Sequence, residues 1–126
     1  MVLALQSGDV TPLAIAGTFA VFALFLSVTA HIAARNVLGD VPVRNGFLVG
    51  PVPAAVSIVV STFAERDALL FGGLLLALVL DGAAIAYVYG ESRKLSAYIT
   101  FIHFVVSVIL GTILFGIWAL AMSAPA

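Results

Sequence analysis

Three ionisable side chains stand inside long apolar runs of this sequence: His31, Asp81 and His103. A carboxyl group and imidazoles can bind an ion or pass a proton, and imidazole does so near physiological pH. Such groups are costly among apolar residues unless they face protein, trapped water or an ion. These three residues are therefore the candidates for an ion-binding or proton-binding site, and Asp81 is the most informative of them.

The three candidates lie at similar distances from the ends of their apolar runs. His31 precedes Arg35 by about one helical turn, His103 follows Tyr98 by between one and two turns, and Asp81 lies about two turns before the end of its run. If these runs are helices that cross a membrane, the three side chains lie near one surface at matching depth. We therefore expect that they can meet.

Two other interpretations of the same residues stay open. Each residue could be a polar contact between helices, with a histidine or Asp81 hydrogen-bonded to a neighbouring helix. Alternatively, His31 and His103 could ligate a haem from both faces, with Arg35 or Arg44 near its propionates. We expect no resident cofactor and no metal site, and the absence of cysteine excludes thiolate ligands.

The composition sets the environment that must position these groups. The chain has 126 residues, of which 63% are hydrophobic and 9% are charged. A soluble domain of this size would have too little polar surface, so lipid must cover most of the exterior. The net charge of −1 gives no basic patch for nucleic acid. The lipid bilayer is the expected partner.

Four apolar segments predict an all-α, polytopic membrane protein folded as a four-transmembrane-helix bundle, in a single domain over residues 1–126. The helices are predicted over about 12–34, 47–63, 68–90 and 97–122. Thr11 is a candidate N-cap with Pro12 at the first helical position. Pro51 and Pro53 stand near the predicted start of the second helix, so its first turns are expected to be bent or unwound.

Small and polar residues recur every three or four positions in each predicted helix, which indicates the faces that pack together in lipid. These stripes consist of Ala16, Ala20, Ala23, Ser27, His31 and Ala34; Gly46, Gly50, Pro53, Ser57 and Ser61; Gly73, Ala77, Asp81 and Ala84; and Ser96, Thr100, His103, Ser107 and Gly111. Sliding the first half of the chain onto the second pairs His31 with Asp81 and Ser57 with Ser107. The pattern thus predicts two parallel helical-hairpin repeats.

The distribution of positive charge predicts the orientation in the membrane. Loops 35–46 and 91–96 hold the basic residues Arg35, Arg44, Arg93 and Lys94. The opposite side holds only Arg66, so both loops are expected to be cytoplasmic and both termini outside. The first residues, Met1 to Thr11, contain no Lys or Arg, so the first helix is expected to be retained rather than removed as a signal peptide.

These observations favour a non-enzymatic function, because the sequence contains no Gly-rich phosphate loop, HExxH or GxSxG element. The leading expectation is a structural or accessory component of a cell membrane or envelope assembly, acting through self-association or another membrane protein. The alternative is a small ion or proton channel or transporter that uses Asp81, with His31 and His103 as relays. A bis-histidine haem b electron-transfer subunit is the third hypothesis.

Overall fold

The structure is a computed structural model that describes residues 11–124 and contains, over that range, only α-helices. In chain order they are α1 (Pro12–Leu38), α2 (Val43–Val49), α3 (Pro51–Phe63), α4 (Asp67–Tyr89) and α5 (Arg93–Ser123). Helices α2 and α3 follow one another directly and form one span, so the described chain has 4 helical spans long and apolar enough to cross a membrane. The predicted all-α, four-span class is confirmed. The expectation about Met1 to Thr11 falls almost wholly on residues 1–10, which lie outside the described range.

The helices extend further into the charged connections than the sequence pattern predicted. Helix α1 continues past Arg35 to Leu38, because no residue stops it before Gly39, whose φ of 86° a non-glycine residue rarely adopts. Helix α5 begins at Arg93 rather than near residue 97, because Ser92 Oγ accepts a hydrogen bond from the Leu95 N–H at 3.2 Å and caps the first turn. The predicted loops 35–46 and 91–96 are therefore short turns, 39–42 and 90–92.

The two prolines of the second span lie in its middle rather than in its first turns. The span begins at Val43, and Gly50 keeps helical dihedral angles with its N–H bonded to the Gly46 carbonyl at 2.9 Å. Pro51 and Pro53 have no N–H to donate, so two backbone hydrogen bonds are missing directly after Gly50. The helix is interrupted there between α2 and α3, although the chain continues in the same span.

The four spans form a ring in which each packs against its neighbours in the chain. Helix α1 contacts both halves of the second span, that span contacts α4, α4 contacts α5, and α5 closes the ring against α1. Each span therefore has two neighbours. Side chains that point to the centre of the ring can meet groups from several helices.

Most buried residues of the described chain lie in the half of the ring nearer to the Gly39 end. That end carries the turns 39–42 and 90–92, and a buried apolar cluster lies close to it. That cluster consists of Ala30, Ala33, Ala34, Val49, Ile85 and Ile99. The opposite end carries the turn 64–66 and is called the Arg66 end. The buried residues of α5, Ser96, Ile99 and His103, all lie in the half of that helix nearer to the Gly39 end.

Glycines let α1 approach the second span closely. A Cβ atom placed on Gly50 would meet the Ser27 Cα atom at 2.6 Å, and one on Gly46 would meet the Ser27 carbonyl oxygen at 2.7 Å. Neither distance is tolerated by a real side chain, so both positions require glycine. This contact fixes the second span against the part of α1 that holds His31 and Thr29.

The predicted small-residue stripes face inward in the middle of the bundle. Ala23, Ser27, Gly50, Asp81 and His103 are buried. The stripes fail towards the Arg66 end, where Ala16, Ala20 and Ser61 are exposed. The duplication into two hairpins stays a prediction.

Candidate functional site

Asp81 and His103 form a buried pair at the centre of the bundle. Asp81 Oδ2 on α4 and His103 Nδ1 on α5 are 2.6 Å apart, and the two residues are only 3% and 2% exposed. The adjacency of α4 and α5 and the small residues around Asp81, such as Ala77 one turn away, allow this approach. The structure therefore brings together two of the three residues that the sequence singled out.

The other ring nitrogen of His103 reaches α1. His103 Nε2 lies 2.9 Å from Thr29 Oγ1 and 3.2 Å from the Leu26 carbonyl oxygen. Thr29 Oγ1 also lies 3.1 Å from that carbonyl oxygen and 3.0 Å from the donating hydroxyl of Ser107. Asp81, His103, Thr29 and Ser107 thus form one polar network that joins α4, α5 and α1, and we call it the relay network.

Two hydrogen-bond arrangements satisfy the relay network, and they differ by one proton. In the first, Thr29 donates to the Leu26 carbonyl and accepts from His103 Nε2–H, so a second proton must lie between His103 Nδ1 and Asp81. The pair then has a net charge of zero. In the second, Thr29 donates to His103 Nε2, and His103 Nδ1–H donates to an Asp81 carboxylate. The pair then has a net charge of −1.

The other carboxyl oxygen of Asp81 is not used by the protein. Asp81 Oδ1 is buried and has no hydrogen-bond partner among the described residues. A buried polar atom without a partner costs about 1–3 kcal/mol, so its presence needs an explanation. Asp81 also lines a partly open cavity of about 330 Å³, and Oδ1 is the carboxyl oxygen that no protein group in the described range binds.

All four spans contribute to this cavity, which we call the central cavity. Its lining is apolar and aromatic except for Asp81, His103 and two serines. It consists of Phe22, Phe25 and Leu26 of α1; Pro53 and Ser57 of α3; Leu74, Ala77, Leu78 and Asp81 of α4; and His103, Phe104, Ser107, Val108 and Gly111 of α5. The lining extends about two helical turns towards the Arg66 end, from Asp81 to Leu74 on α4 and from His103 to Gly111 on α5. The Asp81–His103 pair therefore lies at the part of the central cavity nearer to the Gly39 end.

His31 does not belong to the relay network. Its Cβ atom lies close to Gly46, on the side of α1 that faces the second span. Its Nδ1 atom is buried without a hydrogen-bond partner among the described residues. Both ring nitrogens of His103 are already engaged by Asp81 and Thr29, so the geometry gives the haem hypothesis no support. Among residues 11–124, no three His, Cys, Asp or Glu side chains gather into a metal-binding group.

The sequence pattern missed Thr29. It predicted one packing face on α1, through Ala23 and Ser27, and that face does contact the second span. A helix in a ring has two neighbours, however, and the second face of α1 brings Thr29 Oγ1 and the Leu26 carbonyl oxygen to His103 of α5. Thr29 is a polar residue between the apolar residues Leu26, three positions earlier, and Ala33, four positions later. This spacing was the signal that could have identified Thr29 as part of a packing face.

The fold and the site together define a class: an all-α bundle of four apolar spans with a carboxylate–imidazole pair at its centre. These spans suggest a multi-pass membrane protein. The chain belongs to the family of unknown function DUF7473, whose sequence profile matches residues 9–125. No curated protein and no solved structure matches the chain.

Proposed function

We propose that this chain is a small integral membrane protein that acts as a proton-coupled carrier, in which the Asp81–His103 pair binds and releases the proton. The observation that carries this proposal is the buried Asp81–His103 pair in the lining of the central cavity: Asp81 Oδ2 contacts the imidazole, whereas Oδ1 has no hydrogen-bond partner among the described residues. A purely structural pair would be expected to use both oxygens, because each unused one costs stability.

Electrostatics explains why such a pair would exchange a proton. In apolar surroundings a net charge is expensive, so the neutral, proton-loaded form is favoured while the central cavity holds no positive charge. The form with a net charge of −1 becomes favourable when a positive charge arrives. The position of the Thr29 hydroxyl proton changes between the two forms, so α1 takes part in the exchange.

Orientation and assembly form part of the same proposal. The basic residues Arg35, Arg44, Arg93 and Lys94 lie at the Gly39 end, and by the positive-inside rule we propose that this end is cytoplasmic. Both termini would then be outside. Four spans leave little room for a complete pathway within one chain, so we propose that the carrier is a homo-oligomer.

Nitrogen-15 NMR of the histidine rings in lipid bilayers tests the proton site. The chain has 2 histidines, so His31→Gln leaves His103 as the single reporter. We expect the shifts of Nδ1 and Nε2 to change together with pH, and Asp81→Asn to remove this coupled change. Asp67→Asn is the matched control, because it makes the same chemical change at an exposed carboxylate of the same helix. Ring signals that stay constant over the whole pH range in which the protein is folded would overturn the proposal.

The second candidate is the structural or accessory component expected from the sequence. It is favoured by the relay network itself, which ties three helices together, and by the shortness of turns 39–42, 64–66 and 90–92. With no soluble loops of useful size in the described range, a partner would have to be contacted within the bilayer. In that case Asp81→Asn would leave function and assembly unchanged, whereas Asp81→Leu would cost about 1–2 kcal/mol by removing the partner of His103.

A further inference from the structure

We propose that the central cavity binds a monovalent organic cation with apolar substituents, and that this cation displaces the proton from the Asp81–His103 pair. This inference rests on the proposed proton site and names the ligand class that exchanges with it.

The charge of the ligand follows from Asp81. Its free Oδ1 atom can only accept hydrogen bonds or pair with a positive charge once the carboxyl group is ionised. Within the described lining, Asp81 and His103 are the only titratable side chains: α1 and α3 contribute apolar residues and Ser57. His31 on α1 hydrogen-bonds to neither. A bound monovalent cation would therefore balance the single negative charge that proton release leaves.

The size and lining of the cavity select an organic cation. Its volume of about 330 Å³ lies at the small end of the range of roughly 300–1,000 Å³ for small-molecule pockets. The rings of Phe22, Phe25 and Phe104 line it, and aromatic faces attract a desolvated cation as well as apolar groups. A ligand with one charge and a compact apolar body matches both features.

A hydrated metal cation is a poor match to the same lining. Hard cations take six or more oxygen ligands, or retain water molecules. The described lining offers side-chain oxygens only from Asp81, Ser57 and Ser107, and the Ser107 hydroxyl already donates to Thr29. These side-chain oxygens are too few to replace the water shell of a metal ion, whereas an alkylammonium ion requires no such shell.

The exchange conserves charge and protons. Before binding, the pair holds the extra proton and is neutral. When the cation enters, that proton leaves to bulk water, the ionised carboxylate of Asp81 balances the charge of the cation, and His103 Nδ1–H donates to Oδ2. The site holds a net charge of zero before and after, so neither state leaves an uncompensated charge in the bundle.

Isothermal titration calorimetry with benzyltrimethylammonium tests this inference on the full chain in detergent. This probe carries a fixed charge at every pH, so protons released during binding come from the protein. Titrations in two buffers with different ionisation enthalpies give the number of protons. We expect one proton released per cation bound, tighter binding as the pH rises, and no binding of neopentylbenzene, the isostere with carbon in place of nitrogen.

Three variants make the result specific. Asp81→Asn should lose binding at least tenfold, while Asp67→Asn should bind as the wild type does. Gly111→Leu should also abolish binding with the fold intact, because a Cβ atom on Gly111 meets only Phe25 Cζ, at 3.7 Å, and a larger side chain would enter the cavity.

The outcomes separate this inference from the proposed function. Equal binding of the cation and its neutral isostere, or binding without proton release, would overturn the cation inference. Absence of binding to a folded wild type with a titrating His103 would also overturn it, while leaving the proton site in place. A His103 that does not titrate would instead remove the proton site and the inference built on it.

Discussion

The contact between α1 and the second span predicts that Gly50→Ala destabilises the protein. Gly50 has helical dihedral angles, φ −54° and ψ −41°, so alanine meets no backbone strain there. Alanine would even gain about 0.5–1 kcal/mol over glycine in a helix interior. Its Cβ atom, however, would lie 2.6 Å from the Ser27 Cα atom and even closer to the backbone nitrogen, and neither can move without shifting α1. Overpacking of this kind costs typically about 1–3 kcal/mol.

Gly72→Ala is the matched control for this prediction. Gly72 lies in α4, is exposed and has no atom within 4 Å of a built Cβ, so alanine there should be neutral or stabilising by up to about 1 kcal/mol. The difference between the two variants therefore isolates the overpacking, and we expect Gly50→Ala to be the less stable by about 1–3 kcal/mol. Stepwise unfolding in SDS followed by circular dichroism measures both free energies. A Gly50→Ala protein at least as stable as Gly72→Ala would refute the close approach of the two spans.

Other predictions follow from the network and the helix ends. Thr29→Val keeps the side-chain shape but removes the hydroxyl shared by His103 and Ser107, and should lower the unfolding free energy by about 1–3 kcal/mol in the same assay. Ser107→Ala removes only one donor and should cost less, about 0.5–1.5 kcal/mol; equal effects would contradict the central position of Thr29. Ser92→Ala should cost about 0.5–2 kcal/mol through loss of the α5 cap, and unchanged stability would show that the cap is not needed. Cysteines placed at Ser92 and Glu65 in this cysteine-free chain should react with an impermeant reagent from opposite faces, and labelling from the same face would exclude the four-span topology.

The spans and their inward faces could be predicted because lipid imposes a simple rule. Each span must be long and apolar, and its packing face must carry small residues. Ala77 and Asp81 obey this rule and are buried, while Leu76, which falls outside the stripe, is 50% exposed. The inward position of Asp81 could therefore be predicted from the spacing of the small residues alone.

The pairing of Asp81 with His103 rather than with His31 could not be read in the same way. Depth in the membrane is similar for both histidines, and the choice depends on which helices are neighbours and how each is rotated. In the ring, His31 faces the second span through Gly46, whereas Thr29 faces α5. One periodic stripe of small residues identifies only one packing face, so it does not reveal the second packing face of a helix that has two neighbours.

The ends of α1 and α5 also differ from the predicted ends, because the residues at each helix terminus determine where the helix stops or starts. Charge and turn residues indicated loops, but Arg35 remains helical until Gly39 offers a positive φ, and Arg93 is already helical after the Ser92 cap. Charged residues at a membrane surface are compatible with helix, because they reach water from its last turn. The turns are consequently shorter than a charge pattern suggests.

The movement of protons into proteoliposomes tests the proposed carrier function directly. Vesicles that contain the protein and a pH-sensitive dye are given an outward gradient of benzyltrimethylammonium, and the lumenal pH is followed. We expect proton entry with wild type and Asp67→Asn, and none with Asp81→Asn beyond the leak of protein-free vesicles. Wild-type vesicles whose lumenal pH follows that of Asp81→Asn vesicles would contradict the carrier function.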